Sequence, residues 1–373
     1  MIAFWQNHPS LSYLFSGTYV GPTSQYPRVD EARMDALYEL ELAFRHLPSR
    51  DCPSQTIDGL FRNLLADVTG NTHRAEFCVD KLFPPDGLGL RLGLLELRAF
   101  EMPPNMRMGL LQMLLVRALV CAFWKAPFRD NLVPWGPILH DRFMLPHYIK
   151  QDFLEVLAHL RGSGFDFETA WFDSHFDFRF PRIGSISADG VEVDLRRALE
   201  PWNVLAEETA SGRTVRNVDS SLERVQVAVS GVPEDSRYIV ACNGRRVPLQ
   251  RITESGIAVA GVRFRARKLS ATMHPTIPVH SPLTFTLMDR RNGRSLAQCA
   301  YRVDSPEERE YSSRPLNAEE ALARRLERFE IICPVVPSSI PAEEINPTFP
   351  GTLDLRIPAH GPGMSVQTTE PLP

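Results

Sequence analysis

The sequence predicts an α+β chain in which helices pack on a short sheet and a small β-sandwich follows, and three observations carry that expectation. Apolar residues recur at helical spacing through most of the first 165 positions. Between 216 and 304 the period drops to two, as in the alternation of Val225, Val227 and Val229. Short strand-like runs there are separated by turn signals, above all Asn292-Gly293, at the spacing of a sandwich.

In the first region Asp30 is placed to cap a helix running to about His46, with Met34, Leu37, Leu40 and Phe44 along one face. Ile57, Leu60, Phe61, Leu64, Leu65 and Val68 give a second helix, with Gly70 in the position after its end. Two apolar runs, 75–82 and 90–100, read as strands around the turn Pro84-Pro85-Asp86-Gly87. Pro103-Pro104 opens a long apolar helix over 105–125. Pro146 suits the first turn of another helix, which stops at Gly162-Ser163-Gly164. Gln112 and Arg117 interrupt the 105–125 helix near its middle, so it reads as buried in protein rather than in lipid.

Four units follow. Residues 1–165 form the helical unit with its short sheet. Residues 166–215 carry Trp171, Phe172, Phe176, Phe178, Phe180 and Trp202, too many aromatics to stay solvated, and read as a packed connector. Residues 216–304 hold the sandwich strands, and 305–373 a helix and a Pro- and Ser-rich tail expected to be partly disordered.

Lysine and arginine number 41 against 45 acidic residues, which lacks the basic excess of a nucleic-acid binder. Six scattered cysteines without a Cys-x-x-Cys pair fit free thiols in a reducing compartment better than zinc ligands or disulfides. The N-terminus has no basic-then-apolar leader, so a cytoplasmic protein with no membrane partner is expected. Phosphate-binding glycine loops, His-Glu-x-x-His and Gly-x-Ser-x-Gly do not occur.

Chemistry concentrates in three polar segments, 17–31, 70–77 and 95–104. In the last, the period-two rule puts Glu96 and Arg98 on one strand face and Leu95, Leu97 and Ala99 on the other. A carboxylate and a guanidinium backed by aliphatic residues suit the floor of a site for a charged ligand. They equally suit a structural ion pair on a half-exposed sheet. His140 and His147 read as packing or surface residues, and Arg263, Arg265, Arg267 and Lys268 as a solvated strand face. Cys78 alternates with Phe77 and Val79 and reads as a core thiol rather than the nucleophile of a transglutaminase or protease.

At these residues the chain resembles glutamine synthetases. Their Arg-x-Glu-x-Arg strand, proline turn and long apolar helix are similar to Leu94-Leu95-Glu96-Leu97-Arg98, Pro103-Pro104 and the helix to Trp124. Thr72-His73-Arg74-Ala75 resembles their Asn-Arg-Ser-Ala strand start. His8-Pro9-Ser10-Leu11 and Thr23-Ser24-Gln25-Tyr26-Pro27-Arg28 keep the order of two earlier motifs. A closer resemblance is to a bacterial amidoligase family found fused behind a transglutaminase-like domain. It runs through His8-Pro9-Ser10-Leu11-Ser12-Tyr13, Gly70-Asn71-Thr72-His73-Arg74-Ala75-Glu76-Phe77 and His140-Asp141-Arg142-Phe143. It continues through Val218-Asp219-Ser220-Ser221-Leu222-Glu223-Arg224 and His274-Pro275-Thr276-Ile277, reaching about residue 356.

That resemblance implies the C-terminal portion of a glutamine-synthetase-like catalytic domain. It implies an ATP-dependent carboxylate–amine ligase that forms an amide or peptide bond through an acyl phosphate. ATP and magnesium would be its cofactors, an amino-acid or peptide carboxylate and an amine its substrates, and a transglutaminase-like domain its companion. Glu96 and Glu76 would hold metal, and Arg98 would grip the substrate carboxylate. Arg74 would meet the transferring phosphoryl group and the nucleotide, and Arg28 the amino-acid substrate. Leu94 replaces the first arginine of the family pattern, with Arg91 as the candidate substitute at the nucleotide. Magnesium needs several oxygen ligands, and Glu76, Glu96 and Glu101 are few. The chain is therefore expected to be N-terminally shortened and inactive alone. The alternative is a non-catalytic scaffold that binds protein or peptide, a remnant of a transglutaminase-like multidomain protein.

Overall fold

The computed structural model describes all residues except 17–32, 34–36, 49–51, 67–69, 71, 73–74, 82–92, 211–212, 233–236, 253–255, 270–271, 274, 304–312, 334–338, 345 and 359–373. Its architecture is α+β, as predicted. The first half holds α1 (Ile2–Asn7), α2 (Ser10–Tyr13), α3 (Leu37–Arg45), α4 (Ser54–Phe61), α5 (Met106–Lys125), α6 (Ile138–Asp141), α7 (Pro146–Gly162) and α8 (Asp173–Arg179). Pro146 takes the first turn of α7, and its stripe Ile149, Phe153, Val156, Leu157 and Leu160 is wholly buried. Each such side chain contributes about 1.5–3 kcal/mol of transfer free energy. α4 stops at Phe61, short of the predicted end at Gly70, although Gly70 does adopt a left-handed φ of 80°.

α5 begins one residue after Asn105, whose side chain accepts from the Arg107 amide at 2.8 Å, so an N-cap rather than the proline pair sets its start. It is covered on one face only. Leu115, Ala118, Leu119 and Ala122 are buried, while Met106, Leu110, Met113 and Trp124 stand exposed, so the helix expected to be buried in protein is covered on half its surface. Among the described residues it is the one helix long and apolar enough to cross a membrane.

Among the described residues, the strands expected over 75–82 and 90–100 form a two-residue ladder, β1 (Phe77–Cys78) against β2 (Glu96–Leu97). Gly93 turns with φ 63°, and Leu94 and Leu95 remain exposed, so among the described residues this apolar run has no partner to pair with before Glu96.

The second half is a sandwich of two sheets. Chain order gives β3 (Arg182–Ala188), β4 (Val191–Ala198), the separate ribbon β5 (Val204–Ala210) and β6 (Arg213–Val218), then β7 (Leu222–Ser230) and β8 (Tyr238–Cys242). It continues with β9 (Arg245–Arg246), β10 (Gln250–Ile252), β11 (Ile257–Arg265), β12 (Leu283–Asp289) and β13 (Arg294–Tyr301). Helix α9 (Ala318–Leu326), β14 (Phe329–Ile332) and β15 (Thr352–Asp354) complete it. One sheet runs β10-β11-β7-β4-β3, with β15 added parallel to β11; the other runs β14-β13-β12-β8-β9. Val193, Leu195, Val225 and Val227 of the first sheet share a core with Val240, Phe285, Leu287 and Cys299 of the second.

The sandwich therefore draws strands from both flanks of 216–304. β3 and β4 come from the aromatic connector, turning at Asp189-Gly190, where both residues have positive φ. β14 and β15 come from the stretch read as helix and tail.

A charged seam joins the halves. Arg224 is wholly buried, donating from Nε to Glu200 Oε2 at 2.7 Å and from Nη1 to the His140 carbonyl at 2.6 Å. Arg263 Nε lies 2.8 Å from the other Glu200 oxygen. Asp141 accepts from the Gly351 amide at 3.0 Å and the Thr352 hydroxyl at 2.7 Å. The reading of Arg263 and Arg265 as a solvated face is corrected here. β11 is flanked by strands on both edges and covered by Leu145 of the helical half, so both arginines are buried. Arg265 is satisfied by the Pro275 and Ile277 carbonyls.

Candidate functional site

The β1–β2 ladder fixes where the polar segments meet. Pairing continues past β2, where the Arg98 amide donates to the Glu76 carbonyl at 2.8 Å. The Arg98 guanidinium then folds back as a fork onto Glu96, from Nε to Oε1 at 3.1 Å and from Nη2 to Oε2 at 3.2 Å. Its Nη1 donates to the Thr72 carbonyl, tying the 95–104 segment to the 70–77 segment. Lys81 Nζ adds a contact to Glu96 Oε2 at 3.4 Å.

These contacts set the electrostatics. The Arg98 hydrogen bonds, outweighing partial burial, hold the Glu96 carboxyl below its usual range, so it is ionised at neutral pH. Glu96 is 36% exposed and Arg98 11%, so the carboxylate presents an open edge while the guanidinium is held in place. A fixed guanidinium with an ionised partner at the surface can receive an anionic group by exchanging one hydrogen-bond acceptor for another.

Glu76 has a different setting. Arg33 Nη1 lies 3.0 Å from both of its oxygens, and Arg33 Nη2 donates to the Trp5 carbonyl at 2.7 Å. The Ser12 hydroxyl donates to the same carboxylate and accepts from the Trp5 indole at 2.7 Å. Both oxygens of Glu76 are thus bonded inside the helical core. Arg28, Arg74 and Arg91 lie outside the described residues. The structure therefore brings Glu96 and Arg98 together and gives Glu76 a separate partner.

A magnesium ion takes about six oxygen ligands. Of Glu76 and Glu96, the latter alone keeps an open edge, and one carboxylate does not make such a site among the described residues.

Two features escaped sequence reasoning. Arg33 falls on the stripe of Leu37, Leu40 and Phe44 at helical spacing, which marks it as inward-facing. His8 Nδ1 lies 2.9 Å from Asp152 Oδ1, and Asp152 Oδ2 accepts from the Ser10 amide at 2.9 Å. Glu155 brings its carboxylate within 4.8 Å of both His8 and Asp152. This cluster ties the His8-Pro9-Ser10 segment to α7, and its signal was a carboxylate beside Phe153 on the inward stripe of α7. Cys78 is buried, which pushes its thiol up and away from nucleophilic use.

A family model described as "Putative amidoligase enzyme (DUF2126)" matches residues 1–356. No curated protein and no solved structure matches the chain.

Proposed function

The chain belongs to this amidoligase family, and we propose that it joins a carboxylate to an amine at the expense of ATP, through an acyl phosphate. The observation that carries the reading is the Arg98–Glu96 fork at 3.1 and 3.2 Å, at the surface of a region the family match covers.

Two bonds change partners in such a reaction. The substrate carboxylate takes a phosphoryl group from the nucleotide, and the amine then displaces phosphate at the acyl carbon. Arg98 grips the substrate carboxylate in this reading, and Glu96 keeps the guanidinium aimed. Arg74, Arg28 and Arg91 are assigned, in turn, to the transferring phosphoryl group, the amino-acid substrate and the nucleotide. Bound magnesium would screen the phosphate charge, and it needs oxygen ligands beyond Glu96. The substrates are an amino-acid or peptide carboxylate and an amine, the compartment is the cytoplasm, and a transglutaminase-like domain is the companion.

The test needs no knowledge of the natural amine. The full chain is incubated with ATP, magnesium and a panel of amino-acid and peptide carboxylates, with hydroxylamine as acceptor. ATP-dependent hydroxamate and matching ADP are expected, falling roughly a hundredfold in Arg98→Gln, as when one transition-state donor is removed. A folded protein that forms no hydroxamate from any carboxylate overturns the reading. The second reading, a binding scaffold, is favoured by the same fork, because Glu96 and Arg98 already satisfy each other. It predicts that Arg98→Gln lowers the melting temperature while ATP is never consumed.

A further inference from the structure

We propose that the sandwich half carries a second site, unrelated to the Glu96–Arg98 fork, that binds a small multivalent oxyanion in the cleft between β3, β4 and the end of α9. The cleft has a volume of about 210 Å³. Arg182, Arg197, Arg267, Arg325 and Arg328 line it, and Glu223 is the one carboxylate among its described lining residues. No described lining residue comes from the first 165 positions, so the site stands independently of the ligase reading.

Among the described residues the charges of the cleft do not balance. Glu223, itself buried, lies 3.4 Å from Arg197 Nη2 and 2.9 Å from Arg267 Nη1. Arg182 is held at the rim by Glu192 and Asp194. Arg325 finds a carbonyl of its own helix, Ala321, at 3.3 Å. Arg328 Nε is buried and has no hydrogen-bond partner among the described residues. Guanidinium groups gathered this closely repel one another, and a buried donor without an acceptor costs free energy. An anion in the cleft removes both penalties.

The surroundings select the ligand's class. Planar arginine forks match carboxylate and phosphate oxygens bidentately. Tyr301 adds a phenol that burial pushes up to about 12, so it stays a hydrogen-bond donor. Pro181, Ile183 and Val303 add apolar wall beside the arginines, which lowers the local dielectric and strengthens each charged contact. The volume lies below the roughly 300–1,000 Å³ of pockets that take drug-sized ligands. A compact anion fits, with its negative charge on two or more phosphate or carboxylate groups.

Calorimetric titration of the full chain in low-salt buffer tests this, with inorganic pyrophosphate as the phosphate probe and citrate as the carboxylate probe. Saturable one-site binding is expected, weakened roughly tenfold or more by Arg328→Gln through the loss of a charge-assisted hydrogen bond. It should be unchanged by Arg129→Gln, an exposed arginine elsewhere. Binding of pyrophosphate alone identifies a phosphate-bearing ligand, and binding of citrate alone a polycarboxylate; either supports the site. If Arg328→Gln does not fold, Arg325→Gln on the exposed lip replaces it. Failure of both probes to saturate, or equal binding by the cleft variant and wild type, overturns the proposal.

Discussion

Arg33 and Glu76 form an ion pair closed off from solvent, with Nη1 3.0 Å from each carboxylate oxygen and side chains 0% and 1% exposed. Forty-three positions separate them in sequence, and the pair pins the stretch before α3 to the start of β1. Removing one member of such a pair leaves a buried charge without its counter-charge, which costs about 3–5 kcal/mol. Glu76→Ala is therefore expected to lower the unfolding free energy by about that amount in urea titrations. The double variant Arg33→Met with Glu76→Leu should recover much of the loss. Unchanged stability in the single variant would show that the pair is not closed in.

Glu96 responds differently because it sits at the surface. Its carboxyl is held low in the folded state, chiefly by the Arg98 hydrogen bonds. A lowered folded pKa gives stability that is present above the unfolded carboxylate range and lost as pH falls through the lowered value. At a group more than a third exposed this amounts to about 0.2–1 kcal/mol after solvent screening. Carbon-detected NMR titration should show the Glu96 midpoint rising towards the ordinary range in Arg98→Gln. A midpoint that does not move refutes the fork.

Acid should reveal the β12–β13 hairpin most clearly. Asp289 accepts from Arg237 Nη2 at 2.7 Å, from the Arg291 amide at 2.9 Å and from the Asn292 side chain at 2.7 Å. The Arg237 bond, first among these, holds its carboxyl down to about 2 from an ordinary 3.8. Its stabilisation is fully present above pH 4 or so and is lost between there and about pH 2. Asp289→Asn should flatten the acid limb of the thermal-stability profile in that window, read by circular dichroism. A parallel profile would contradict the assignment.

The two faces of α5 offer an internal comparison. Leu115 is buried and Leu110 is exposed on the same helix. Leu115→Ala should cost about 2–5 kcal/mol, since it leaves a cavity. Leu110→Ala should stay within about 0.5 kcal/mol. Equal losses in denaturant titrations would mean that the exposed face is covered in solution.

Period-two alternation made β7 legible, because Val225, Val227 and Val229 face one core. β4 carries the same signal in Val191, Val193 and Leu195 after the Asp189-Gly190 turn, but the aromatics around it gave the stretch the texture of a connector. β15 could not be read locally. Three residues pair there only because β11 offers an open edge and Asp141 holds the chain in place. At the candidate site, the shared face of Glu96 and Arg98 was legible from spacing, and so was the option that they bind each other. The setting of Glu76 was not legible, since its partner Arg33 comes from a distant segment and local sequence carries no record of that meeting.

The clasp of Asp141 on Gly351 and Thr352 spans 210 positions of the chain. During synthesis that carboxylate leaves the ribosome long before its partners exist. The junction can lock only once residues 351 and 352 have been made and released. A nascent chain stalled at residue 340 should thus be cut readily near α6 by a protease that spares the released protein; equal resistance would mean the junction sets without its last strand.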